Sequence, residues 1–159
     1  MATNDYVFLT RWRVEATPEE VYQIIEKTDE YPRWWGRVWL TVGRIEEGDA
    51  NAIGRRYKLF TQGWLPYRLR WESRTTEKVA PTRLAIAATG DFVGTGVWTF
   101  EADGAFTNVT YDWRLRADKP LLRILSFLLK PLFRWNHNWA MARGFEGLQK
   151  ELQCIRTAV

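Results

Sequence analysis

Tyr111-Asp112-Trp113-Arg114-Leu115-Arg116 is followed within a few residues by Leu121-Leu122-Arg123-Ile124-Leu125 and, beyond Pro131, by His137-Asn138-Trp139-Ala140-Met141. In the first stretch apolar and charged side chains alternate, which is the period of a strand with one face buried. From Lys119 the period becomes helical. His137, Met141, Phe145, Leu148 and Leu152 recur at spacings of four, four, three and four, so they share one helix face. This change of period points to a sheet with an apolar face and a later helix whose stripe can cover it. Leu121 to Lys130 reads as one helix, Pro131 as a break or kink, and Leu132 to Ile155 as a second, longer helix. Trp135, Trp139 and Ala142 fall on a neighbouring stripe, which widens the apolar arc in the first half of that helix.

The alternation extends back to the start of the chain. Tyr6, Phe8, Thr10, Trp12 and Val14 take one face of a strand from Tyr6 to Glu15, and Arg11, Arg13 and Glu15 take the other. Thr17-Pro18-Glu19-Glu20 then opens a helix, with Thr17 as N-cap and Glu20 closing a capping box. Val21, Ile24 and Ile25 supply its stripe, and Tyr31-Pro32-Arg33-Trp34-Trp35-Gly36 ends the helical region. Further strands are expected at Val38 to Glu46, Arg55 to Gln62, Tyr67 to Val79, Arg83 to Thr89, Phe92 to Glu101 and Phe106 to Ala117. Turn signals separate them: Glu47-Gly48-Asp49, Gly63-Trp64-Leu65-Pro66, Ala80-Pro81-Thr82 and Asp103-Gly104. Tyr67, Leu69 and Trp71 oppose Arg68, Arg70 and Glu72, and Tyr111, Trp113 and Leu115 oppose Asp112, Arg114 and Arg116. One face of the sheet is therefore aromatic and the other rich in arginine. With no repeat, linker or low-complexity tract, residues 1–159 read as a single domain.

Composition narrows the chemistry. Of 159 residues, 24 are Trp, Tyr or Phe, more than one modest core commonly consumes. A single cysteine, Cys154, and a single histidine, His137, exclude a disulfide framework, a multi-cysteine zinc site and paired-histidine chemistry. Cys154 lies about 25 Å from His137 along the same helix, so the two cannot form a catalytic pair within one chain. The net charge is +4, which favours an anionic partner without naming one. No secretory signal opens the chain and no apolar stretch is long enough to span a bilayer, so a cytoplasmic protein is expected.

The order of one strand, two short helices, about six antiparallel strands and a long terminal helix resembles the START-like superfamily, also called SRPBCC or birch-pollen-allergen superfamily. Its nearest likeness is to the bacterial polyketide cyclase/dehydrase-like members. The segments that carry the resemblance are Glu15-Ala16-Thr17-Pro18-Glu19-Glu20-Val21-Tyr22, Tyr31-Pro32-Arg33-Trp34-Trp35, Gly94-Thr95-Gly96-Val97-Trp98-Thr99-Phe100 and Asn138-Trp139-Ala140-Met141. The resemblance implies an α+β helix-grip fold, in which a curved antiparallel sheet wraps around a long C-terminal helix and often encloses a cavity. The superfamily includes lipid carriers and polyketide cyclases, so the fold does not settle the function. Its iron and iron–sulfur members need several His or Cys ligands, which this chain lacks, and no metal or cofactor is expected.

Trp12, Tyr57, Trp71, Trp98, Tyr111 and Trp113 project by alternation toward the inner face, and His137 and Met141 face them from the last helix. Apolar walls with a few polar tips are the general form of a small-molecule site, with His137 as the polar anchor. A hydrophobic ligand, lipid-like or aromatic and polyketide-like, is the expected partner. The alternative is a polyketide cyclase-like enzyme in which His137 or Tyr111 moves protons, although the residues identify no reaction. No catalytic carboxylate pair is expected: Glu19 and Glu20 serve the cap, Glu46 and Glu47 a turn, and Glu72 and Asp112 pair with neighbouring arginines. Gly90, Gly94 and Gly96 run into a strand and not a helix, so they mark bends or close backbone approach and not a phosphate loop. The arginine face is balanced by acids and lies opposite the aromatics, so nucleic acid is not an expected partner. Leu121 to Phe133 is apolar apart from Arg123, Ser126, Lys130 and Pro131. It offers a cover for the cavity mouth, a homodimer interface or a peripheral membrane contact.

Overall fold

The structure, a computed structural model, describes residues 5–117 and 120–158, with side chains for 5–116 and 130–158. The elements run β1 (Asp5–Val14), α1 (Pro18–Ile25), a 3-10 turn (Thr28–Glu30), α2 (Tyr31–Trp34), β2 (Trp39–Glu46), β3 (Arg56–Gln62) and β4 (Arg68–Val79). They continue through β5 (Arg83–Gly90), β6 (Phe92–Asp103) and β7 (Phe106–Ala117) to α3 (Pro120–Thr157). The seven strands form one antiparallel sheet in the order β1-β7-β6-β5-β4-β3-β2. Six strands therefore follow as a meander, and β1 closes onto the last of them. The sheet curves around α3, which is the helix-grip fold. Register irregularities between Trp39 and Thr41, Arg44 and Glu46, and Thr75 and Glu77 help bend it.

Alternation predicts the buried face well. Tyr6, Phe8, Trp12 and Val14 are buried along β1, and Thr107, Val109, Tyr111 and Trp113 along β7, with their intervening neighbours more exposed. Thr17 caps α1 as its sequence requires: its hydroxyl accepts from the Glu20 N–H at 3.2 Å, and the Glu20 carboxylate accepts from the Thr17 N–H at 3.0 Å. The α1 stripe buries Val21, Ile24 and Ile25 against the sheet. The peptide bond at Ala80-Pro81 in the β4–β5 turn is cis.

The expected pair of C-terminal helices is a single 38-residue helix that passes through Pro131. Proline removes one N–H donor and crowds the turn before it. That local cost does not end a helix whose later turns are held by the sheet and by α2. The stripe His137, Met141, Phe145, Leu148 and Leu152 does turn inward, whereas Ala142 and Trp135 are exposed, so the apolar arc is narrower than expected. The side chains of 121–129 lie outside the described residues. No helix among the described residues is long and apolar enough to cross a membrane.

α2 fixes the far end of α3. A Cβ on Gly144 would lie 2.5 Å from the Trp35 ring, and one on Gly147 would lie 2.1 Å from the Trp34 carbonyl oxygen. Only glycine lets the two elements approach this closely. Three further bonds lock the contact: the Trp35 indole N–H donates to the Ala140 carbonyl at 3.0 Å, and Arg33 holds Glu151 through bonds of 2.6 and 2.9 Å. On the outer face Arg56 pairs with Glu72, Arg83 with Glu77, and Arg114 with Asp112. Gly144→Ala should overpack the α2–α3 contact and cost about 2 kcal/mol. Thermal unfolding followed by circular dichroism should then show Tm lower by roughly 4–8 °C, with the far-ultraviolet spectrum at 20 °C unchanged.

Candidate ligand cavity

Where α3 leaves this contact toward its N-terminal half, the sheet and the helix part to enclose a cavity of about 620 Å³. β4, β6 and β7 supply one wall through Trp71, Trp98, Tyr111 and Trp113. Trp98 stacks on Tyr111 at 4.1 Å, Tyr111 on Trp113 at 5.7 Å, and Trp113 tilts against Trp71 at 5.6 Å. The wall is a row of rings because each comes from the same face of adjacent strands: Trp98 pairs with Tyr111, and Gly96 with Trp113. A Cβ at Gly96 would lie 2.7 Å from the Tyr111 hydroxyl and 2.9 Å from the Trp113 ring, so its absence lets both rings lie low across β6. Phe133, His137, Ala140 and Met141 of α3 form the opposite wall, and Tyr31, Trp35 and Trp39 close one end.

Polar groups in the cavity are few and uncharged at depth. The Trp71 indole N–H donates to the Thr61 hydroxyl at 3.0 Å. His137 is half-buried, stacks on Phe8 at 4.5 Å and approaches the Thr10 hydroxyl with Nε2 at 3.4 Å. Burial disfavours its charged form and pushes its pKa down to about 4, so the imidazole is neutral near pH 7. Burial raises the Tyr111 hydroxyl well above the usual tyrosine range, with the neighbouring Tyr31 adding to the effect. Tyr111 thus keeps its proton, and its hydroxyl has no hydrogen-bond partner among the described residues. Among the described residues, charged side chains enter the lining only through Arg68 and Asp91, which are respectively exposed and half-buried.

Residues 9–154 match the family described as polyketide cyclase / dehydrase and lipid transport. The chain belongs to that family. No protein of curated function matches the sequence significantly. Among solved structures, a Thermus thermophilus protein is similar with TM-score 0.75 at 17% identity, covering 94% of this chain and 99% of its own. A START superfamily protein from Mycobacterium smegmatis gives TM-score 0.74 at 10% identity over 94% of this chain and 98% of its own. The Zhui aromatase/cyclase from a Streptomyces species gives 0.71 at 14% identity over 94% of each. These likenesses establish the shared fold.

Of the eight side chains that alternation and helix spacing place inward, this family member sets Trp71, Trp98, Tyr111, Trp113, His137 and Met141 on the cavity lining. Trp12 lies beyond it, packed against Trp35, Trp98 and Phe145 at 5.4–6.2 Å, where α3 sits directly on the sheet. Tyr57 is buried near the α1–α2 connection, its hydroxyl 3.3 Å from the Asp29 carboxylate and its ring beneath Arg44. Alternation determines the face a side chain takes but not whether α3 touches the sheet at that height. Tyr31, Trp35, Trp39 and Phe133 are lining residues that side-chain periodicity did not select. The signal for Phe133 was its place four residues before His137. For the others it was the density of aromatics around Tyr31-Pro32-Arg33-Trp34-Trp35.

A neutral His137 has a consequence for stability. Its folded pKa lies below the unfolded value of 6.5, so the unfolded chain binds the proton more readily. The resulting stability is fully present above pH 6.5 and is lost as pH falls toward about 4. Urea denaturation should show wild type losing about 1–2 kcal/mol more than His137→Gln between pH 7 and pH 5. Equal losses would place the histidine in water.

Proposed function

We propose that the chain binds a hydrophobic small molecule, lipid-like or aromatic and polyketide-like, between the sheet and α3, and carries it. The observation behind this reading is the stacked row Trp98, Tyr111 and Trp113 facing Phe133 and Met141 across unfilled space. Flat rings separated by a cavity offer dispersion contact to a flat or chain-like guest. The protonated Tyr111 hydroxyl and neutral His137 suit an uncharged oxygen or nitrogen on that guest, while an ionised group at depth would find no countercharge.

Native mass spectrometry of freshly purified protein, followed by solvent extraction, tests the reading. A reproducible added mass that dissolves in organic solvent is expected, and Ala140→Phe, which narrows the cavity, should lose it. A clean apo mass, together with no binding of the neutral probe N-phenyl-1-naphthylamine, would overturn the proposal.

A second reading, a polyketide aromatase/cyclase-like enzyme, is favoured by one feature: His137 and Tyr111 both reach the same cavity, each able to exchange a proton with a bound polyketone. His137→Gln separates the two. In a carrier it should weaken binding about threefold, as expected for one lost neutral hydrogen bond. In an enzyme it should remove turnover by a hundredfold or more, on the order of a lost general acid–base.

A further inference from the structure

The rim of the cavity carries features that its interior does not require. Tyr67 and Leu132 belong to the lining and are also exposed, so the cavity reaches the surface between the β3–β4 loop and α3. Outside the lining, Trp64 of that loop is 56% exposed and Trp135 of α3 is 46% exposed, and the two meet edge to face at 4.6 Å. Neither ring is needed to fill the core. The loop is held in place: the Asn136 side-chain oxygen accepts from the Leu65 N–H at 2.8 Å, and its amide donates to the Tyr67 hydroxyl at 3.4 Å. Two tryptophans and Leu132 are therefore presented to solvent on a fixed platform around the opening.

Among the described residues, three unpaired cations stand beside this platform. Arg134 adjoins Trp135, Lys130 lies about one turn before it on α3, Arg68 follows the β3–β4 loop, and the one acid of the lining among the described residues is the half-buried Asp91. Several other arginines are matched: Arg56, Arg83 and Arg114 on the outer face, Arg55 by Glu47 and Arg143 by Glu146. Arg68, Lys130 and Arg134 form no ion pair among the described residues; Lys130 and Arg68 lie over the rings of Tyr6 and Phe60.

We propose that this rim docks on an anionic lipid bilayer, with Trp64 and Trp135 at headgroup depth and the cavity mouth facing the lipid. Indole rings favour the membrane–water interface, where an apolar body meets a polar edge. Cations beside them are drawn to anionic headgroups. A second copy of the chain fits less well, because a two-fold contact would set Lys130 and Arg134 against the same cations. Nucleic acid could meet the cations but offers nothing to the exposed aliphatic Leu132 or to an apolar opening.

The test is flotation with vesicles of phosphatidylcholine alone and of phosphatidylcholine with 30% phosphatidylglycerol. Wild type should float with the anionic vesicles and not with the neutral ones, and 1 M salt should return it to the bottom fraction. Trp64→Ser/Trp135→Ser, and separately Lys130→Glu/Arg134→Glu, should lower the partition coefficient about tenfold or more. The tryptophan variant should retain wild-type Tm and N-phenyl-1-naphthylamine binding, since neither ring lines the cavity. Ile45→Asp, at an exposed apolar site on β2, should leave flotation unchanged. Wild type remaining at the bottom with anionic vesicles overturns the proposal. So does a dimer that Trp64→Ser/Trp135→Ser dissolves, or binding to single-stranded DNA without flotation. Loss of probe binding with flotation intact would strike the cavity reading alone.

Discussion

The contact between Gly144 and Gly147 of α3 and Trp34 and Trp35 beside α2 governs the geometry of the remaining molecule. It brings the backbones together at one end of the long helix, where the Trp35–Ala140 hydrogen bond and the Arg33–Glu151 pair fix it. Glu151 is only 8% exposed, so its carboxylate depends on Arg33 for a countercharge. Toward its N-terminal half α3 stays on β1, where Phe133 meets Tyr6 and His137 stacks on Phe8, and parts from Trp71, Trp98 and Trp113. The cavity is the space left between α3 and those rings, on the N-terminal side of Gly144 and Gly147. Leu148 and Leu152 pack flat beyond them, while Phe133, His137 and Met141 face rings across a gap.

The composition of the gap follows from the strand pairing around it. Trp98, Tyr111 and Trp113 sit on neighbouring strands at matching heights, so their rings meet each other before they meet α3. The polar atoms of these large side chains then need partners. Trp71 finds Thr61 and Trp35 finds a helix carbonyl, both within the protein. Tyr111 finds none and keeps its proton, and His137 faces it uncharged. An interior of this kind would favour, in the proposed guest, shape and neutral hydrogen bonding over charge. Among the described residues, charge enters only near the opening, at Arg68 and Asp91.

Much of the architecture was legible because it depends on local rules. Strand alternation placed the even positions from Tyr6 to Val14, and Tyr111 and Trp113, on the correct face, the Thr17–Glu20 box placed the start of α1, and Asp103-Gly104 placed the last hairpin. Pro131 was misread as a helix boundary because the local penalty of proline is weighed against tertiary support that no single window contains. The site was legible in part for a related reason. Whether an inward side chain meets helix or cavity depends on how closely α3 approaches that part of the sheet, a tertiary property to which the close contacts at residues 144 and 147 contribute. Trp12 and Tyr57 share the inner face with Trp98 and Trp71, yet they lie where other elements fill the space above them.

The distribution of arginine links the fold to its surroundings. On the outer face of the sheet, arginines alternate with acids because cross-strand neighbours must coexist at about 5 Å, and the pairs largely cancel. Around the opening, Arg68 at the start of β4 and Lys130 and Arg134 of α3 form no ion pair among the described residues, although the two segments are distant in sequence. Local strand pairing cannot account for cations gathered from both. They surround a pair of exposed indoles on a loop that Asn136 ties to the helix, so the same side-chain bridge that shapes the mouth also holds its apolar edge outward. A surface organised in this way sets exposed indoles beside the opening through which the proposed guest would enter or leave.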